Sequence, residues 1–372
     1  MRRALYLLFA LSLFPNVFIL ASHGDGLLGL EAPQLKEMGT PNTALSPLTW
    51  RSIGPANMGG RVTDIAGVPG NPAVFYVAAA GGGLFKTTNA GTTFRPVFDD
   101  QEVLDIGAIA IAPSDPRVIW VGTGEGNVRQ SAAFGDGVYR SRDGGETWVR
   151  MGLADSERIA RIRIDPRDPN TVYVAALGHE WGPNEERGLF KTTDGGNTWS
   201  RVLYRDKDTG CSGVDLDPVN PLIVYAGMYT YRRLPWRFDG GGRETGLYRS
   251  MDGGVTWAKL TNGLPNGPID RVGVAVAPSH PETVYMVTEA KEGGVLFRSD
   301  DRGNSWQMVN DDPTINFRPF YYSDIHVDPT NPLRVYAERW LGGVGGWRSR
   351  ILANWQRRAW RPPSSVDRSA QP

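Results

Sequence analysis

The sequence predicts an all-β chain, a β-propeller of four-stranded antiparallel blades, five complete plus a partial sixth. Three observations predict it. Glycine (46) and proline (27) are together roughly a fifth of the 372 residues, well above the usual share of about 12%. A proline-centred turn between two apolar runs recurs six times. A second turn, bearing Asp, Gly and Trp, follows most of those copies. The spacing of about 50 residues is the length of one four-stranded sheet.

The chain opens on a targeting segment. Arg2 and Arg3 precede an apolar run, Ala4 to Leu20, and Ala21 and Ser22 are small residues suited to cleavage. This pattern reads as a secretory signal peptide over 1–22. An uncleaved anchor is the alternative, because the run sits near the lower length for spanning a bilayer. Residues 23–46 carry no pattern and read as a flexible leader. The expected location is secreted or periplasmic, with no stable membrane insertion after signal cleavage.

The proline turns fall at Pro72, Pro116, Pro169, Pro221, Pro281 and Pro332. Proline has no N–H for a ladder and therefore ends or edges a strand. In the third repeat the tracing is Ala160–Ile164, Thr171–Ala175, Gly188–Thr192 and Thr198–Leu203. The second turn has the form Ser/Thr-x-Asp-x-Gly-x-Thr/Ser-Trp. Clear copies span Ser141–Trp148, Thr192–Trp199, Ser250–Trp257 and Ser299–Trp306, and a degenerate one spans Thr87–Phe94. An Asp carboxylate accepts backbone N–H groups just ahead of it in such turns, and the glycine supplies φ > 0. Asp143, Asp194, Asp252 and Asp301 are therefore expected to be structural turn formers. The other reading, metal or catalytic carboxylates, suffers because four equivalent copies on four blades cannot line one site.

These boxes, SRDGGETW, TTDGGNTW, SMDGGVTW and SDDRGNSW, resemble the BNR or Asp-box repeats of sialidases, xyloglucanases and sortilin. With WRSIGPANMGGRVTDI from Trp50 added, the chain is most similar to bacterial secreted proteins of the sortilin N-terminal-like type, often labelled glycosyl hydrolases with BNR repeats. The resemblance covers Trp50 to about Ala337, so the propeller is placed at 47–337. It implies, for xyloglucanases of this repeat type, an Asp just before a Gly-Gly pair in the first blade. This chain has Ala80 there, a departure that argues against glycosidase activity. Residues 338–372, rich in Trp and Arg, have no second turn and read as an atypical, disordered tail. They look like read-through in a wrong frame or a damaged gene end of a truncated protein. A natural basic tail is the alternative.

Lys+Arg and Asp+Glu are both 40, so no net field draws nucleic acid. Four His without helical pairing offer no metal site and there is no Walker loop, so no cofactor is expected. The single Cys211 excludes an intrachain disulfide and reads as a buried small residue. Function is expected on the long loops between the second and third strands of blades 2 to 4, because long loops are where sites lie. The candidate ligand-binding residues there are Glu125, Arg129, Glu180, Trp181, Tyr231, Arg232 and Trp236. Aromatics beside charges suit a peptide or glycan ligand. The leading reading is an exported binding or scaffold module. The alternative is a carbohydrate-active hydrolase, xyloglucanase- or sialidase-like, using Glu125, Glu180 or Glu185. The pattern leaves the catalytic residues and the oligomeric state open.

Overall fold

A computed structural model describes residues 61–129, 131–290, 295–313, 315–316, 319–340 and 347–352. The expected signal peptide, leader and Trp50–Ile53 strand lie outside these residues.

Among the described residues six antiparallel sheets follow one another. The first holds β1 (Arg61–Val68), β2 (Asn71–Ala80), β3 (Gly83–Thr87) and β4 (Arg95–Pro96). The second holds β5 (Ile106–Ala112), β6 (Asp115–Thr123), β7 (Val138–Ser141) and β8 (Val149–Arg150). The third holds β9 (Ile159–Asp165), β10 (Asp168–Ala176), β11 (Gly188–Thr192) and β12 (Ser200–Leu203). The fourth holds β13 (Thr209–Leu216), β14 (Val224–Leu234), β15 (Arg237–Gly240), β16 (Gly246–Ser250) and β17 (Ala258–Lys259). The fifth holds β18 (Gly273–Val276), β19 (Val284–Val287), β20 (Leu296–Ser299) and β21 (Gln307–Asn310). One helical turn, α1 (Pro319–Tyr322), leads to the sixth: β22 (Ile325–Val327), β23 (Val335–Trp340) and β24 (Trp347–Leu352).

The expected propeller is corrected here. The sheets are open and do not form closed propeller blades. The fourth carries a fifth strand, because β14 runs on past the sheet and folds back as a hairpin with β15. The repeat in the sequence specifies each sheet and its turns; nothing in it specifies how successive sheets are arranged. Within the third sheet the strand ends fall within three residues of the positions read from sequence. The segment expected as an irregular tail from 338 begins inside a hairpin: Glu338 pairs with Ser349 and Trp340 with Trp347.

Apolar cores lie between neighbouring sheets. Trp120, Ile162, Val174 and Phe190 pack the second sheet on the third, and Tyr225, Val274, Met286 and Trp306 pack the fourth on the fifth. Cys211 belongs to the core between the third and fourth, is fully buried, and has its thiol pushed up to about 12 by burial. Inner strands such as β18 are buried along their whole length, as strands covered on both faces must be.

The Asp turns bind each sheet internally. Ser141 Oγ donates to Asp143 Oδ1 at 2.7 Å and accepts the Gly145 amide at 2.8 Å. Asp143 in turn accepts the amides of Glu146 and Thr147, both at 3.0 Å, and the Thr147 hydroxyl at 2.6 Å. Asp194, Asp252 and Asp301 likewise accept the amide and the hydroxyl of the residue four ahead, Thr198, Thr256 and Ser305. These donors hold the Asp194 and Asp301 carboxyls down at about 2. Gly196 has φ +92, and a Cβ there would sit 2.6 Å from Trp120, so only glycine closes that turn.

The turns also bind one sheet to the next. Tyr76 on β2 donates its hydroxyl to the Gly144 carbonyl at 2.7 Å, and Lys86 on β3 reaches the same oxygen at 2.8 Å. Tyr173 and Lys191 grip the Gly253 carbonyl at 2.9 and 2.8 Å. Tyr225 grips the Arg302 carbonyl at 3.0 Å. The indole N–H groups of Trp148 and Trp199 reach back to the Val97 and Met151 carbonyls at 2.7 Å.

Candidate functional site

Strand direction places one cluster of charged residues at one end of the sheets. The first strand of each sheet starts, and the second ends, where the long loops emerge. Arg61 therefore stands at the start of β1, Asp105 just before β5 and Arg158 just before β9. The loops 124–137 and 177–187 and the β14–β15 hairpin meet there.

Four carboxyls and three guanidiniums build the cluster. Arg61 grips Glu125 through both carboxylate oxygens, its Nε to Oε1 at 3.0 Å. Glu125 is fully buried, whereas the Arg61 side chain is 41% exposed. Asp105 is buried behind them and accepts the Ala133 amide at 3.2 Å. Burial, reinforced by the Glu125 charge, pushes the Asp105 carboxyl up to about 6. Glu180 is buried between two guanidiniums, Arg158 Nη2 at 2.6 Å and Arg233 Nε at 3.1 Å. Desolvation drives its carboxyl up, against the pull of Arg158 and Arg233. The fourth carboxyl, Glu157, precedes Arg158, and its carbonyl accepts the Gly135 amide at 2.7 Å.

Arg233 and a further guanidinium, Arg187, order the loops. Arg233 Nη2 donates to the Val128 carbonyl at 2.7 Å, and Arg187 donates to the carbonyls of Leu177 and Gly182, each at 2.9 Å. Gly124, at φ +81, lets the first loop pass so close that a Cβ would fall 1.7 Å from the Glu157 carbonyl oxygen.

The seven candidate residues separate into two groups. Glu125, Glu180 and Tyr231 are buried. Tyr231 donates its hydroxyl to the His179 carbonyl at 3.1 Å and stacks on Tyr229 at 5.4 Å, with Arg187 4.8 Å over its ring. These three support the loops from beneath. Arg232 forms an ion pair with Asp208, and Arg129 lies 5.9 Å from the Tyr321 ring centre. Trp181 (43% exposed) and Trp236 (80% exposed) face solvent. They belong to adjoining segments, since the Arg233 amide donates to the Glu180 carbonyl at 3.4 Å. Glu185 is exposed, accepting the Tyr204 hydroxyl at 3.0 Å. Sequence reasoning missed Asp105 and Glu157. Both precede first strands rather than sitting in long loops, and the signal that could have found them is an acidic residue at the start of successive first strands.

Ala80 ends β2 and is buried, so no carboxylate stands at that position. Among the described residues no group of three or more His, Cys, Asp and Glu is arranged to hold a metal ion. Among them, too, no helix is long and apolar enough to cross a membrane.

The xyloglucanase Xgh74A of Acetivibrio thermocellus is 25% identical over 325 residues, covering 77% of this chain and 36% of that protein. A xyloglucanase of Paenibacillus sp is 22% identical over 321 residues, covering 77% of this chain and 30% of that protein. The chain thus spans about a third of the length of these curated relatives. The solved structure of the GH74 enzyme of Niastella koreensis superposes with a TM-score of 0.57 at 23% identity, over 74% of this chain and 43% of that one. No protein-family model matches the chain. These likenesses correct the expected resemblance to BNR or Asp-box proteins of the sortilin N-terminal-like type: the fold is the GH74 one. The Asp turn misled because it is turn chemistry, which any chain needing that turn can use. The relatives and the structural neighbour are carbohydrate-active enzymes, which also corrects the expectation of a binding or scaffold module.

Proposed function

We propose that the protein is a carbohydrate-active glycoside hydrolase module that takes a xyloglucan-like polysaccharide at the loop end of its sheets. The observation that carries the reading is the placing of two solvent-facing indoles, Trp181 and Trp236, beside a cluster of carboxyls. Indole faces stack on the apolar faces of sugar rings, and carboxyls supply the chemistry. Support comes from relatives named as xyloglucanases across three quarters of this chain. An extracellular polysaccharide also suits the export signal expected at 1–22.

Glycoside hydrolysis needs one carboxyl that carries a proton and a second that assists from the other side of the bond. Ala80 supplies neither. Asp105, pushed up to about 6, keeps its proton to higher pH than an ordinary carboxyl and takes the acid role. Glu125, paired with Arg61, is the second carboxyl, and the exposed Arg61 side chain is the cover that moves when substrate enters. Glu180, locked between two guanidiniums, is support.

The test is release of reducing ends from xyloglucan, with cellulose and mannan as comparisons. Wild type should act on xyloglucan. Asp105→Asn and Glu125→Gln should abolish turnover with binding retained. Trp181→Ala and Trp236→Ala should each weaken binding about tenfold or more, since covering about 100 Å² of ring contributes roughly 2.5 kcal/mol. No release by wild type refutes the hydrolase reading. Undiminished release by both carboxyl variants refutes the residue assignment.

A further inference from the structure

At the opposite end of the sheets from the loops, the first strands of successive sheets converge on a cavity of about 270 Å³. Its wall repeats with the sheets: Pro113, Pro166, Pro218 and Pro278 occupy equivalent places where first strands end. Leu216 and Val327 add aliphatic surface. Its polar residues are three: Arg163 on β9, Asp215 on β13 and His326 on β22.

The acceptors near this cavity are already engaged. Asp215 accepts Arg163 Nε at 2.8 Å, the Leu216 amide at 3.1 Å and the Val276 amide at 2.8 Å. Asp324 takes Arg161 from β9 and lies 3.6 Å from His326 Nε2. Arg161 also faces Asp64 of β1 at 3.7 Å. The donors are not all engaged. Arg163 commits Nε to Asp215 and Nη1 to the Ile162 carbonyl at 3.2 Å, leaving Nη2 without a partner among the described residues. The other ring nitrogen of His326, Nδ1, likewise has no partner among them. A site whose acceptors are satisfied internally and whose donors are spare selects a ligand rich in acceptors.

We propose that this cavity binds a small carboxylate with an apolar body, the carboxylate on Arg163 and His326 and the body against the prolines. A cavity of about 270 Å³ has room for one ring bearing a carboxylate. Asp324 beside His326 raises its basicity, so the imidazole keeps its proton to higher pH than a free one. The charges facing His326 are Asp324 on its own segment, Arg161 and Arg163 on β9, Asp215 on β13 and, through Arg161, Asp64 on β1. The site is separate from the polysaccharide site and does not rest on it.

The test uses calorimetric titration of the full chain with benzoate and cyclohexanecarboxylate, and with benzamide as the neutral isostere. Both acids should bind saturably at millimolar concentration or below, and benzamide at least tenfold more weakly. Affinity for benzoate should fall as pH rises through the histidine's titration, and His326→Gln should remove that pH dependence. Arg163→Gln should weaken binding at least tenfold. Because that change unpairs Asp215, Val327→Phe, which fills the cavity and leaves every charge in place, should abolish binding at an unchanged unfolding midpoint. Equal binding of benzoate and benzamide, no saturable binding of either acid, or undiminished binding by folded Val327→Phe protein would each overturn the proposal.

Discussion

Replacing Glu180 by glutamine removes one charge from a buried trio and leaves two guanidiniums facing each other. Glu180 and Arg158 are fully buried, and the Arg233 side chain is 9% exposed. At an effective dielectric of about 20, a charge pair with centres near 4 Å gains about 4 kcal/mol, so Glu180 gains roughly 8 kcal/mol from its two partners. Taking three charges out of water costs several kcal/mol each, and the intact trio nets little. The upward push on the Glu180 carboxyl shows the same balance from the proton's side. Glu180→Gln forfeits both attractions and recovers only the carboxylate's desolvation. The expected loss is about 3–5 kcal/mol, the size found for breaking buried pairs. Urea unfolding followed by tryptophan fluorescence should show it as a lower midpoint at unchanged slope. Replacing the trio together, with Arg158→Met, Glu180→Leu and Arg233→Met, should recover more than half of that loss. Full recovery is not expected, because the Val128 carbonyl loses the Arg233 donor. A single Glu180→Gln change within about 0.5 kcal/mol of wild type, the range of ordinary surface substitutions, would refute the reasoning.

Three further outcomes are expected. Asp105 has its folded-state titration raised to about 6, so its protonated form stabilises the fold below the ordinary carboxylate range and that stability drains away as pH rises toward about 6. Asp105→Asn should flatten the stability curve across that window, as read from unfolding midpoints against pH, and an unaltered curve counts against the burial argument. Ser250→Ala removes a buried hydroxyl that accepts the Gly254 amide at 2.8 Å and donates to Asp252 at 2.7 Å; it should cost about 1–3 kcal/mol in urea unfolding while polysaccharide affinity of the folded protein stays put. Gly196→Ala should cost about 2–4 kcal/mol by the same measurement, since a methyl meets Trp120 at 2.6 Å in a left-handed backbone, and a neutral result would mean the turn relaxes freely.

How far sequence carried the structure depended on the range of the interaction. Strand positions and the Asp turns were legible because they rest on neighbours within about five residues: Asp194 bonds Thr192 and Thr198. Arrangement of the sheets was not, because it rests on pairs such as Arg161 with Asp324, whose numbers differ by 163. The candidate site was legible in part. Loop length pointed to the end of the sheets where the carboxyl cluster lies and to Trp181 and Trp236, which face solvent. It could not tell that Glu180 and Tyr231 are buried beneath those indoles, because a charged or aromatic residue in a long loop reads the same whether it points inward or out. Asp105 escaped notice since its character comes from burial beside Glu125, whose number is 20 higher.

The latch between sheets has a consequence for descent. Tyr76 and Lys86 hold Gly144, and Tyr173 and Lys191 hold Gly253, while Arg140 holds Gly195, so at these junctions one repeat carries the socket and the repeat before it a cationic plug. An unequal crossover that inserts or deletes one whole repeat joins a plug to a socket of the same chemistry, whatever the parentage of the two halves. Only crossovers out of phase with the repeat break a latch. Lineages built this way can change length in whole units while keeping every junction chemically intact, and their relatives are expected to differ by complete sheets rather than by fragments of them.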